Sequence, residues 1–478
     1  MKRPILGILI MLISLHLLPF PVQADTSKES RLTDYLDKYL KQEKIPGASI
    51  AIVSKDETVY AYNWGVTGED EQPVTSQTPF SLGSISKSFT GLAIAKMESE
   101  GKLSLNDYVS DFLPDLQLGG AESQITIRHL LTHTSGISSY DGLKVADLGI
   151  GEQFELKDIA QSLNDVSPTH NPGMAHQYSA ANYLILGAII EEITDQTYGD
   201  YMLQHIFAPL QMTHSAADEA MAIHTGYRTG YQSWFGFPVK SKHPYDNSGA
   251  PYSTITSSAE DMTKFILLLS GKNNDAFEDS ILNRYKEKLY ERNSADYYGY
   301  GLRHTKLDSG QDIVWHSGST PDAHAELFYI PEENWGAVIL TNKNHFLEER
   351  SLPLLKQGII DIMLGNEPEN IPSYFPTTQL ILCLILVGVF LWTILLFIKR
   401  KKFKKKKMIF LLGFLSSAIG ATLIPILSIS AQSPWHSISA FAPDIAFLAV
   451  SVAVLLVLNG LLCFLKATNS HSNQKRQE

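Results

Sequence analysis

Cysteine is almost absent from this chain: there are two among 478 residues, Cys383 and Cys463. Both lie inside long apolar runs near the C-terminus, which excludes a disulfide framework from the rest of the protein. Residues 25–377 must therefore rely on their own core, and roughly 350 residues can supply one. Positive charge is outnumbered between the ends. Residues 378–478 carry 11 basic and 2 acidic side chains and residues 1–24 carry two basic ones, so of the net −11 the intervening segment holds about −22. A surface this acidic excludes binding of nucleic acid or anionic polymers by charge. Internal repeats are also missing.

Both chain ends carry membrane signals. Lys2-Arg3, an apolar run over 5–18 and Val22-Gln23-Ala24 make the three parts of a secretory signal peptide, 1–24, cleaved after Ala24 or retained as an uncleaved anchor. Three apolar runs, 378–398, 408–430 and 445–465, are each long enough to span a bilayer as a helix. The first two flank a run of eight Lys or Arg over 399–407. Between two membrane helices, such a run reads as a cytoplasmic loop under the positive-inside rule. That orientation places 25–365 and the 431–444 connection outside, with the 466–478 tail inside, in a multi-pass cell-membrane protein. Residues 366–377, with three prolines, form a short extended linker.

Within the exported part, 31–44 has a helical stripe of Leu32, Tyr35, Leu36, Tyr39 and Leu40. Alternation over 48–53 and 58–62 predicts two strands, joined by a turn at 54–57. Helical patterns dominate the middle, including 182–194 and 259–270. The latter opens with Ser257-Ser258-Ala259-Glu260, a capping-box pattern. Strand patterns return at 312–316, 325–330 and 335–341, and a helix over 348–364 closes the region. Strands at both ends with helices between them predict an α+β fold: one antiparallel sheet from N- and C-terminal strands, flanked by helices, plus a helical region.

Three short segments carry chemistry. Ser84 and Lys87 in Gly83-Ser84-Ile85-Ser86-Lys87 stand three apart at a predicted helix start, so they share a face. A serine hydroxyl needs an adjacent base to become a nucleophile, and a desolvated lysine supplies one. The helix N-terminus adds N–H groups where an oxyanion would form. The bland alternative is a serine cap beside a solvated lysine. Tyr178, in Tyr178-Ser179-Ala180, stands at a loop–helix junction, where it is either a proton donor and acceptor or a core tyrosine. His316, in His316-Ser317-Gly318-Ser319, ends a strand and is either a titratable site residue or a structural histidine; Gly318 lets a substrate lie near the backbone. His129 and His133 have helical i, i+4 spacing but lack the glutamate of H-E-x-x-H, so they read as structural, and no metal or cofactor is expected.

The order S-x-x-K, Y-S-x, H-x-G resembles the serine β-lactamase-related hydrolase family, which includes class C β-lactamases, D-Ala-D-Ala carboxypeptidases and esterases. The blocks at 80–90, 101–107, 125–136 and 182–187 are similar to that family as well, and the likeness covers about 30–362. The resemblance implies a β-lactamase/transpeptidase-like fold, with Ser84 as acylated nucleophile, Lys87 as its activator and Tyr178 as general base and acid. His316 would stand beside Tyr178, where many relatives have a lysine. The backbone N–H groups of Ser84 and Ser319 would form the oxyanion hole, with Gly318 and Ser319 in the substrate strand. Ala180 departs from the asparagine usual in the tyrosine motif and offers no amide to the substrate, whereas Asn182 should face elsewhere.

The expected function is a membrane-anchored extracellular serine hydrolase, forming an acyl-enzyme with a small-molecule or peptidoglycan-like ester or amide. A low-rate penicillin-binding D,D-peptidase and a catalytically weak binder of cell-wall fragments are the alternatives. With a neutral His316 and with Ala180, small esters should be turned over faster than β-lactams.

Overall fold

The apolar stripe near the N-terminus lies on helix α1 (Lys28–Gln42), whose start is capped by the Ser27 hydroxyl accepting from Ser30 N–H. The computed structural model describes residues 27–54, 57–119, 124–148, 155–271, 276–398 and 406–472. The signal-peptide region 1–24, part of the turn at 54–57, most of the basic run and the last residues of the tail lie outside the described residues.

Eight strands form one antiparallel sheet. They are β1 (Gly47–Ser54), β2 (Glu57–Gly65), β3 (Tyr290–Asn293), β4 (Asp296–Gly299), β5 (Leu302–Lys306), β6 (Asp312–Thr320), β7 (Ala323–Ile330) and β8 (Trp335–Thr341). Their order across the sheet is β2-β1-β8-β7-β6-β5-β4-β3, so the N-terminal hairpin closes one edge and pairs with the last strand. This is the α+β architecture expected from the sequence.

Side-chain alternation assigns the two faces. On β1, Ala48, Ile50 and Ile52 join one core, and Ala51 and Val53 join the other. On β8, Trp335, Ala337 and Ile339 alternate in the same way with Val338 and Leu340. The first core lies under α1 and helix α5 (Leu352–Leu364). Those helices approach closely at Gly358, where an added Cβ would lie 2.2 Å from the Tyr35 hydroxyl. The second core carries helices α2 (Ser86–Ser99), α3 (Ala180–Thr194) and α4 (Ala259–Ser270).

Two local expectations shift. Strands β3 to β5 had no clear sequence signal, because they are short and their tight turns use Ala295 and Tyr300 at positive φ (73° and 51°) rather than a recognisable turn pair. The α4 cap is Ser258, whose hydroxyl accepts from Asp261 N–H at 3.1 Å. The helix thus starts one residue later than the capping-box pattern implies, and Asp261 turns instead to His214 N–H and Ser215 Oγ, at 2.6 and 2.8 Å.

Beyond α5, helices α6 (Thr377–Ile398), α7 (Lys406–Ser430) and α9 (Pro443–Ser472) are long and apolar enough to cross a membrane. A short helix, α8 (Trp435–Phe441), connects the last two.

Candidate active site

Ser84 lies in a tight helical turn, Gly83–Ile85, that feeds directly into α2. The turn is fixed from two sides. Leu82 N–H donates to Ile255 O at 2.9 Å, and Ile255 N–H donates back to Ser86 Oγ at 3.1 Å. On the sheet side the turn rests on β6, backbone to backbone. Gly83 has φ +54°, and a Cβ there would lie 2.3 Å from Ser319 N. A Cβ on Gly318 would lie 1.9 Å from Leu82 O and 2.7 Å from Ser84 N. Both glycines are therefore needed for the contact that gathers the backbone nitrogens of Ser84 and Ser319 at one place.

One turn into α2, Lys87 is 1% exposed. Its Nζ donates to Tyr252 O at 2.7 Å and to Ser84 Oγ at 3.1 Å. Burial pushes its pKa below the ordinary lysine range; Tyr178 opposes that shift and Arg303 adds to it. No carboxylate pairs with Lys87 among the described residues. The lysine also faces the Tyr178 ring, 4.9 Å from its centroid, and the Tyr178 hydroxyl is buried without a hydrogen-bond partner. An open phenol oxygen beside a buried amine is suited to receive or return a proton once a substrate arrives.

Ser84, Lys87, Tyr178, Ala180 and Ser319 line a single cavity of about 310 Å³. His316 is not on its wall. It sits behind Tyr178, with ring centroids 6.3 Å apart, and is 2% exposed. Its Nδ1 lies 2.6 Å from Ser317 O, which can only accept, so Nδ1 carries the proton. Nε2 then accepts from Tyr298 O–H at 3.2 Å, and the Tyr298 oxygen accepts from His133 Nε2–H at 3.3 Å. His133 Nδ1 accepts from Ser179 N–H and from the Asn182 amide, at 3.2 and 3.0 Å. Burial holds both imidazoles well below the usual histidine range, and nearby Lys87 and Arg303 push in the same direction. The result is a neutral, fully bonded chain under Tyr178. Asn182 faces this chain and not the cavity. His129 turns elsewhere, its Nδ1 accepting from Thr126 N–H at 3.2 Å.

Two features of the site had no signal in the sequence. Arg303 on β5 places its guanidinium 6.0 Å from the Tyr178 ring and 5.1 Å from Trp315, and its Nε is buried without a partner. A lone arginine in a short strand carries no pattern, so only the fold reveals it. The second is a cavity wall formed by His436, Ser437, Ala440 and Phe441, from the connection between the candidate membrane-spanning helices α7 and α9.

An α+β fold of this plan, with a serine one turn ahead of a buried lysine, defines a serine β-lactamase-related protein. Residues 32–356 match the Beta-lactamase family model, and the chain belongs to that family. It is 30% identical over 327 residues to Protein flp of Staphylococcus aureus strain MW2, covering 66% of this chain and 63% of that protein. With Protein flp of strain COL it shares 28% over 471 residues, 91% of each chain, a span that runs past the family match into the apolar helices. A Beta-lactamase of Yersinia enterocolitica is 27% identical over 360 residues, 68% of this chain and 88% of that one. Among solved structures, the octameric penicillin-binding protein homologue from Pyrococcus abyssi superposes with TM-score 0.61 at 27% identity, covering 74% of this chain and 80% of that one. A class C beta-lactamase gives 0.59 at 21%, covering 72% and 99%, a likeness of fold alone.

Replacing Gly318 by Ala should separate the turn from β6. We expect labelling of Ser84 by a fluorophosphonate to slow about a hundredfold, the scale of losing one oxyanion donor, while far-UV circular dichroism stays unchanged. Labelling at the wild-type rate would show that the contact is dispensable.

Proposed function

We propose that the protein is a membrane-anchored serine hydrolase that works through an acyl-enzyme on esters or amides. The observation that carries this reading is the Ser84–Lys87–Tyr178 cluster, with a buried, carboxylate-free lysine 3.1 Å from the serine oxygen. In this reading Lys87 reacts as the neutral amine: Ser84 Oγ attacks the acyl carbon as its proton passes to the Lys87 Nζ lone pair, leaving an ammonium. The tetrahedral oxyanion sits between the N–H groups of Ser84 and Ser319. Tyr178 returns a proton to the leaving group as the acyl–leaving-group bond breaks. Water then attacks the ester of Ser84, gives its proton back through the same groups and releases the acid.

Substrate preference depends on Ala180 and Arg303. Ala180 lines the cavity and offers no amide, which removes a hydrogen bond worth about 0.5–1.5 kcal/mol from an acyl-amide substrate. The neutral His316 does not hold a carboxylate, but the unpaired Arg303 nearby supplies a cation. That residue weakens the charge half of the case for esters and favours, as a second reading, a D,D-peptidase acting on carboxylate-bearing peptides. The amide half still favours small esters. In the test, Ser84→Ala should abolish both fluorophosphonate labelling and turnover, typically several orders of magnitude. In the wild type, kcat/KM for a p-nitrophenyl ester should exceed that for a cephalosporin, and Ala180→Asn should narrow the gap. Wild-type turnover by Ser84→Ala would reject the nucleophile, and efficient cephalosporin hydrolysis would favour a true β-lactamase.

We also propose that the catalytic domain is extracellular. The linker after α5 enters α6 at Thr377, and Asp444 at the start of α9 accepts from Gln379 of α6 at 3.1 Å and from Phe235 N–H of the catalytic domain at 2.9 Å. These contacts involve the Thr377 end of α6 and the Pro443 end of α9. The positive-inside rule assigns the basic run in the sequence after Ile398 to the cytoplasm, which supports an extracellular catalytic domain. A cysteine replacing Gln432 should react with a membrane-impermeant maleimide on intact cells, whereas one replacing Lys402 should not. The reverse pattern would place the catalytic domain inside.

A further inference from the structure

The cavity that holds Ser84 is closed on one side by the membrane domain, and this wall is firmly attached. His345 and Asp444 are both fully buried. Leu347 N–H donates to His345 Nδ1 at 3.1 Å, so the proton is on Nε2, which donates to Asp444 Oδ1 at 2.9 Å. Asp444 accepts in addition from Gln379, Phe235 N–H and Ile445 N–H, which joins the catalytic domain, α6 and α9 at one carboxylate. Next to this junction, α8 is stitched to the catalytic domain along its length. Phe346 N–H donates to Phe441 O at 2.9 Å, and the Gln232 amide donates to Ala440 O at 2.7 Å. At its other end the Ser437 hydroxyl donates to Asp147 at 2.9 Å, and His436 Nδ1 lies 3.2 Å from the same oxygen.

Asp147 follows the short helix Ser139–Ala146, so the Leu143 and Ala146 side of the cavity meets its Ala440 and Phe441 side at this contact. The shared wall is apolar where these four residues line it. It also lies at the bilayer boundary. Phe441 is two residues from Pro443, where the last candidate span begins, which is at most about 7 Å of chain. Trp435 opens α8, and Trp234 of the catalytic domain packs on Phe447 of α9, with centroids 6.0 Å apart. Tryptophans at this depth are typical of a membrane–water interface.

We propose that α8 is part of the substrate site: Ala440 and Phe441, with Leu143 and Ala146, hold the apolar chain of an amphiphilic ester or amide that resides in the adjoining leaflet, so that its scissile carbonyl reaches Ser84. The proposal rests on the hydrolase reading above and deepens it by naming the substrate class. A water-soluble acyl donor needs no wall built from the membrane domain. An amphiphile already in the leaflet meets the cavity at the depth where it resides, and its chain can pass from lipid to this apolar wall without crossing water.

The test uses the full chain in phosphatidylcholine vesicles, with 4-methylumbelliferyl butyrate and 4-methylumbelliferyl oleate as probes and a fluorophosphonate to titrate Ser84. The wild type should prefer the oleate in kcat/KM. Ala440→Trp, which fills the wall, should lower the oleate-to-butyrate ratio at least tenfold, and Phe441→Ala, which removes part of it, should lower the ratio several-fold through KM. Titration of Ser84 by the fluorophosphonate, with no oleate preference in the wild type or an unchanged ratio in both variants, would overturn this proposal and leave the hydrolase reading standing. Failure of the wild type both to be titrated and to cleave either ester would overturn the hydrolase reading, and this proposal with it.

Discussion

The site depends on one unusual burial: the Lys87 amino group, enclosed by protein and without a carboxylate partner among the described residues. Removing a charge from water is costly, and a lysine in this position either finds compensating acceptors or loses its proton. Its two hydrogen bonds, to Tyr252 O and Ser84 Oγ, compensate only in part. The surroundings are arranged around that shortfall. The Tyr252 carbonyl comes from a wide helical turn at 250–254 that also receives the Thr90 hydroxyl, at Pro251 O, 2.6 Å away. Gly91 lets α2 press against Tyr300 O, and Gly301 faces the Lys87 backbone. The helix carrying Ser84 and Lys87 is thus clamped on several sides, which is the preorganisation that the proposed acyl transfer would require.

Behind the reacting groups, the neutral chain of Asn182, His133, Tyr298 and His316 keeps a second set of buried polar groups satisfied without adding charge. This matters electrostatically. A protonated histidine at 316 or 133 would repel a protonated Lys87, and burial keeps both imidazoles neutral. Arg303 brings a cation to this region, its guanidinium 6.0 Å from the Tyr178 ring and 5.1 Å from the Trp315 ring. The candidate membrane-spanning helices complete the enclosure. Asp444 gathers donors from three parts of the chain, and the wall that α8 contributes makes the cavity around Ser84 a joint product of the β-lactamase-like region and the C-terminal helices.

The sequence made the chemistry legible where the residues that cooperate are close together. Ser84 and Lys87 are one turn apart, and Tyr178 and Gly318 are each bracketed by small or turn-forming residues that mark a junction. Strands β1, β7 and β8 were readable because they are buried on both faces and their apolar residues are dense, and β2 and β6 were readable from the shorter stretches 58–62 and 312–316. Strands β3 to β5 were not, being short hairpin pieces rich in tyrosine. His316 was expected beside Tyr178 and does contact its ring, yet its place beneath the cavity floor follows from Tyr298, which is 18 residues away in sequence and had no pattern. The α8 wall was invisible for a stronger reason. Asp147 and Ser437 are 290 residues apart, and only the packing of spans against the catalytic domain brings them together.

The central claim is that Lys87 is held away from its ordinary charged state so that it can take the Ser84 proton. It is tested most directly by an NMR titration of ¹⁵N-lysine-labelled protein, with the Lys87 resonance assigned by its loss in Lys87→Met. The account predicts that Lys87 titrates clearly below the ordinary lysine value of about 10.4, and that its midpoint rises when Tyr178 remains and Arg303 is replaced by Gln. A Lys87 titrating together with the surface lysines would contradict the account, leaving Ser84 without its base.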